Sequence, residues 1–150
     1  MLSWIIPSST KNVSLSTDII VGFPGESQKA FEDTVKLIKK VKYDQVFAFM
    51  YSKRTGTPAC KLPNQVEEEV KNKRVNKLLR EQKFISKQLL NKCVGKTFNC
   101  LVVVKNGVTM GLTDGGREIY LPNDSDKLLN HFVDIKVEDI RNHKLSGVIK

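Results

Sequence analysis

Two glycines three residues apart, Gly22 and Gly25, with Phe23-Pro24 between them and Glu26-Ser27 after them, form the stretch best suited to holding a ligand. Glycine lets backbone approach a bound group closely, and a helix opening at Glu26-Ser27 turns its N-terminus toward polar or anionic atoms. A tight strand-to-helix turn that touches nothing is the competing reading, and Gly22-x-x-Gly25 is no dinucleotide fingerprint. Lys53 and Arg54 follow a second apolar run, where a guanidinium holds a carboxylate or phosphate in a bidentate pair. Their alternative is a loop-stabilising ion pair with Asp18 or Asp44. Cys60, Cys93 and Cys100 include neither a C-x-x-C pair nor a C-x-x-x-C-x-x-C triad and read as small buried hydrophobes. His131 and His143 lack a metal or nucleophile pattern and are expected at the surface. No residue is assigned a catalytic role and no metal site is expected.

The elements that would position these residues follow from periodicity. Leu15 to Val21 is a short, mostly apolar run stopped by Gly22 and the Phe23-Pro24-Gly25 turn, which predicts a buried strand and its exit. Ser27 is a candidate N-cap, after which Phe31, Val35, Ile38 and Val41 recur at helical spacing. Gln45 to Tyr51 is a second, non-alternating strand, with Phe49 and Tyr51 expected in the core. Strand, helix and strand make a βαβ crossover whose parallel strands should be covered on both faces. Thr55 to Asn64 is a loop and a boundary. Beyond it, Glu67, Glu68 and Glu69 open a long basic amphipathic helix with an apolar stripe of Val70, Val75, Leu78, Leu79, Ile85, Leu89 and Cys93, stopped at Gly95.

From Lys96 the texture changes to short strands. Thr97 to Val104 leads into the hairpin signal Asn106-Gly107, Val108 to Thr113 into Asp114-Gly115-Gly116, and Arg117 to Leu121 ends at Pro122. A polar loop, an alternating run from Phe132 to Glu138 and a closing strand from Leu145 to Ile149 complete the set. Five short strands predict a small antiparallel barrel of the OB-like kind.

The formal charge of +9 favours polyanionic partners. The excess is concentrated between Asn64 and Cys93, where eight Lys and Arg face four Glu. The opening apolar run of Leu2, Trp4, Ile5 and Ile6 stops at Pro7, too short for a signal-peptide core, and no run approaches a membrane span. With no disulfide framework, a reducing cytoplasm is the expected compartment.

Two segments are specific enough to indicate a family: Ser16-Thr17-Asp18-Ile19-Ile20-Val21-Gly22-Phe23-Pro24-Gly25-Glu26, and Tyr51-Ser52-Lys53-Arg54-Thr55-Gly56-Thr57-Pro58-Ala59. From about Ser14 onward the chain resembles the C-terminal half of the radical S-adenosylmethionine (SAM) tRNA methylthiotransferases. The nearest likeness is to the branch that methylthiolates N6-isopentenyladenosine beside the anticodon. The family usually has Pro where Thr55 stands, and Met1 to Asn12 match it poorly. The resemblance implies an α/β plus all-β chain: residues 1–62 a truncated parallel βα barrel segment, 63–94 a linking helix, and 95–150 a TRAM-like RNA-binding β-barrel.

In such relatives the first turn borders SAM, so Gly22, Phe23, Gly25, Glu26 and Arg54 are the implied cofactor-side residues. Lys96, Lys105, Arg117, Lys136, Arg141 and Lys144 are candidates for RNA phosphate contacts, with Tyr120 and Phe132 as stacking faces. The family reaction uses SAM and two 4Fe-4S clusters held by cysteine triads, and this sequence has no such triad. It therefore reads as truncated and inactive alone, with tRNA as partner and either self-association or docking onto a separately encoded N-terminal half. The alternatives are a non-catalytic RNA-binding remnant, or a piece of the threonylcarbamoyladenosine or ribosomal-protein branch.

Overall fold

The computed structural model describes residues 13–150, apart from the side chains at 123 and 124. The Leu2-to-Pro7 run lies outside the described residues. Two compact units are distinguished, one of Leu15–Gln88 and one that includes Leu89–Lys150.

In the first unit, strand β1 (Ser16–Val21), helix α1 (Gln28–Val41) and strand β2 (Gln45–Met50) form the expected crossover. The strands pair in parallel, with Ser16 opposite Gln45 and Val21 opposite Met50. The Ser27 hydroxyl accepts the Ala30 N–H at 3.1 Å, which starts α1. Lys42, at φ 58°, ends it by donating its N–H to the Ile38 carbonyl at 2.9 Å. Phe31, Val35 and Ile38 are buried, as their spacing requires. Helix α2 (Glu68–Asn91) then runs without interruption, with Glu68 and Glu69 in its first turn.

Coverage of both sheet faces is not what the described residues show. Ile20 stands opposite Phe49 in the register and is 57% exposed, while Phe49 is 53% exposed and Phe47 also faces outward. Phe49 is therefore not a core residue. Two strands leave one apolar face beyond the cover that their helices supply, a situation parallel sheets normally avoid.

The second unit is a closed barrel of five strands: β3 (Thr97–Lys105), β4 (Val108–Thr113), β5 (Glu118–Tyr120), β6 (Phe132–Arg141) and β7 (Lys144–Ile149), ordered β3-β4-β5-β7-β6. Asn106 at φ 53° and Gly107 at φ 73° make the two-residue β3–β4 turn. The expected polar loop contains a 3-10 turn over Asn123–Leu128. The barrel is not purely antiparallel, because β5 and β7 pair in parallel through Ile119–Leu145 and Tyr120–Ser146. Strand directions cannot alternate around a ring with an odd number of members, so closure at five strands forces a parallel pair somewhere. It falls at the shortest strand, β5. Cys100, Val102, Ile119, Ile135, Val137 and Leu145 fill the interior.

Gly147 is required by space rather than by its torsion angles. A Cβ there would lie 2.5 Å from the Lys136 carbonyl oxygen and 2.9 Å from an Ile135 methyl, next to the register shift between Val137 and Asp139. Gly147→Ala is expected to destabilise the barrel by about 1–3 kcal/mol, the usual cost of overpacking, read as a lower urea midpoint at unchanged slope.

Candidate functional site

The turn after β1 is built around one carboxylate. Gly22, at φ 74°, donates its N–H to Glu26 Oε2 at 2.7 Å. Arg74 of α2 donates to the same oxygen at 2.6 Å and to the Glu26 carbonyl at 3.0 Å. The Glu26 N–H returns to the Phe23 carbonyl at 2.9 Å, and Gly25, at φ 84°, donates to the Asn64 carbonyl at 2.9 Å. Lys71, one helical turn before Arg74, lies against Gly22 so closely that a Cβ on the glycine would meet its Cγ at 2.3 Å. Its ammonium donates to the Tyr51 carbonyl at 3.2 Å and pairs with Glu68 at 2.6 Å. Tyr51 meets Phe23 edge-on at 5.2 Å between centroids, and the Arg74 guanidinium lies 5.5 Å from the Phe31 ring centre.

Lys71 and Arg74 are only 5% and 6% exposed. This is the feature that apolar counting misses: the buried face of α2 is Lys71, Arg74, Leu78, Gln82 and Ile85, while Leu79, assigned to the stripe, is exposed. Gln82 donates to the carbonyls of Tyr43 and Asp44 at 2.8 and 3.2 Å, and the Ser86 hydroxyl to that of Asp44 at 2.9 Å. The available signal was positional, since Lys71, Arg74 and Gln82 fall on the helical face of Leu78 and Ile85.

Gly22, Phe23, Gly25 and Glu26 are thus brought together on one turn. Much of its polar capacity serves the fold, and Lys71 fills the space beside Gly22. Gly25 alone of the two glycines faces open space. Tyr51 Oη and Arg74 Nε are buried without a hydrogen-bond partner among the described residues. Arg54 lies in the exposed loop after β2, where its carbonyl accepts the Thr57 hydroxyl at 2.8 Å. No ion pair of Lys53 or Arg54 with Asp18 is present among the described residues.

The basic candidates of the barrel lie on or next to β3, β5, β6 and β7. Lys105 is ion-paired with Glu118, and Arg141 lies 3.6 Å from Asp139. Lys144 reaches the Tyr120 hydroxyl with its ammonium 4.6 Å from the ring centre, which occupies one proposed stacking face. The N–H and carbonyl of Lys96 bond to Cys93 and Val137 while its residue stays exposed; Lys136 is exposed between Thr97 and Val148. The Arg117 N–H donates to Thr113 Oγ1 at 2.9 Å. Phe132 is 70% exposed and free to stack.

The three thiols are free and lie in different local settings. Cys60 is half-buried in the 3-10 turn Pro58–Lys61 of the first unit, whereas Cys93 and Cys100 are buried in the barrel core. No three-ligand metal group occurs among the described residues. Burial, with Asp114 and Asp134 adding to it, pushes the Cys100 thiol from an ordinary 9.0 up to about 11. It is therefore a buried, protonated thiol at neutral pH.

No family model matches the chain. It is similar to curated proteins named tRNA-2-methylthio-N(6)-dimethylallyladenosine synthase. It is 37% identical over 148 residues to that of Acetivibrio thermocellus, covering 96% of this chain. It is 44% identical over 140 residues to that of Clostridium botulinum strain Langeland, covering 91%, and 39% identical over 141 residues to that of Campylobacter jejuni, covering 92%. The chain spans only 31–32% of the length of these relatives.

Removing Arg74 leaves the Glu26 carboxylate largely buried with one backbone donor. Arg74→Ala is expected to cost roughly 3 kcal/mol of unfolding free energy, and Glu26→Gln combined with Arg74→Met to recover most of it, measured by urea denaturation. For Cys100, the folded state holds its proton to a higher pH than the unfolded state. Stability is thus full below about pH 9 and falls as pH rises toward about 11. Cys100→Ala should flatten that decline relative to the parent chain.

Proposed function

We propose that this chain serves in tRNA modification, as the RNA-contacting C-terminal portion of a methylthiotransferase acting on N6-isopentenyladenosine next to the anticodon. The observation that carries this reading is 37–44% identity over 91–96% of the chain to relatives bearing that synthase name. In this reading the barrel is a TRAM-like module that takes RNA through Lys96, Lys136, Arg141 and the exposed ring of Phe132. Lys105, Arg117 and Lys144 contribute from neighbouring strands.

The Gly22–Glu26 turn, with Phe23, Gly25 and the loop carrying Arg54, forms part of the SAM-side rim, at the C-terminal ends of parallel strands where α/β sites gather. SAM would supply the methyl group and the radical chemistry of the family. The thiols of this chain do not suit the clusters, which on this reading are held by cysteines outside these 150 residues. The exposed Ile20, Phe47 and Phe49 support association of the sheet with a separately encoded N-terminal half or with itself.

A second reading is RNA binding without catalysis, supported by the burial of Cys93 and Cys100 in the barrel core. Both readings expect tRNA binding by the purified chain, measured by filter retention, with log K falling linearly against log salt. Both also expect no iron retained after reconstitution with iron and sulfide. Absent or salt-indifferent tRNA binding would sink the RNA reading, and stoichiometric cluster uptake would overturn the assignment of the thiols. Methylthiolation on mixing with a cysteine-bearing N-terminal half separates the enzyme reading from the binding one.

A further inference from the structure

Helix α2 carries a second run of cations on the side away from Lys71 and Arg74. Lys73, Asn76, Arg80, Lys83 and Lys87 recur at spacings of three and four residues, so they share one exposed face over about 21 Å of helix. The exposed ring of Phe84 lies beside them. Glu68 pairs with Lys71 and Glu81 with Lys39 of α1, while Glu69 pairs with Lys73 at the first turn and so balances only the N-terminal end of this face. Arg80, Lys83 and Lys87 have no acidic partner among the described residues.

Helix α1 makes the comparison. There Asp33 sits between Lys29 and Lys36 and pairs with both, at 3.4 and 3.0 Å. That is how an ordinary solvated face limits repulsion. Like charges three and four residues apart destabilise a helix, and α2 keeps them along the length that no carboxylate interrupts.

We infer that this outer face of α2 docks the sugar-phosphate backbone of RNA, with Arg80, Lys83 and Lys87 as phosphate contacts and Phe84 placed to cover an unstacked base. The commitment to RNA rests on charge complementarity and on the tRNA reading above, which it deepens by adding a contact surface outside the barrel. Docked phosphates remove the like-charge penalty and release counterions. An exposed aromatic beside cations suits single-stranded or looped RNA better than a smooth duplex.

The test compares the parent chain with Arg80→Gln/Lys83→Gln/Lys87→Gln, using an unmodified tRNA transcript and circular dichroism to verify helix content. A Lys29→Gln/Lys36→Gln chain is the control, because it lowers net charge on a balanced face. The α2 triple is expected to weaken binding at least about tenfold and to flatten the salt dependence by about two contacts, with the control near the parent. Phe84→Ala should weaken binding to the tRNA transcript more than to a fully duplex RNA of equal length. If the parent binds and the triple binds like the control, the α2 assignment is wrong while the tRNA reading stands. If the parent chain does not bind tRNA, both fall.

Discussion

The ion pair between Arg74 and Glu26 is the contact on which the first unit depends. One carboxylate oxygen accepts from the Gly22 amide and from the Arg74 guanidinium, so a single side chain closes the turn after β1 and fastens α2 to it. A nearly buried guanidinium is expensive to desolvate, and only close geometry with further hydrogen bonds offsets that cost. Here the Glu26 carbonyl and the Phe31 ring supply part of the compensation. Lys71 adds a steric condition, because its aliphatic stem occupies the space where any residue at 22 other than glycine would put a Cβ. The glycine, the glutamate and the two cations are therefore one constraint expressed at four positions.

That constraint also governs what the turn offers a ligand. A motif met as a chain of letters suggests a loop with free amides. The folded turn has its Gly22 and Gly25 amides engaged and is open only beside Gly25. A group bound there would meet a preformed rim rather than organise a flexible loop, which lowers the ordering cost of binding.

Much of the architecture was legible because local chemistry and global fold agree. Ser27, the Phe31–Val35–Ile38 spacing and Asn106-Gly107 each point to one structure, and each forms it. Three things were not legible. The parallel β5–β7 pair follows from the number of strands in a closed ring, which no single segment encodes. The exposure of Phe49 reflects the absence of covering elements among the described residues, not the strand's own composition. The buried Lys71, Arg74 and Gln82 were invisible because apolar residues alone were counted toward the packed stripe, and their partners lie about 40 residues or more away for Arg74 and Gln82. Long-range polar satisfaction leaves no periodic trace.

The net charge acquires a different meaning once these partners are known. In the barrel, Lys105, Arg141 and Lys144 are each engaged by Glu118, Asp139 or Tyr120. In α1 the lysines alternate with Asp33, and in α2 the inner cations are absorbed by Glu26, Glu68 and backbone carbonyls. Pairing of this kind screens a charge locally and leaves little field at a distance. Among the described residues, Arg80, Lys83 and Lys87 on the outer face of α2 are left without a carboxylate partner, as are the exposed Lys96 and Lys136 of the barrel. The same helix thus uses its basic residues in two opposed ways, satisfied inward to fix the turn and unsatisfied outward toward a polyanion.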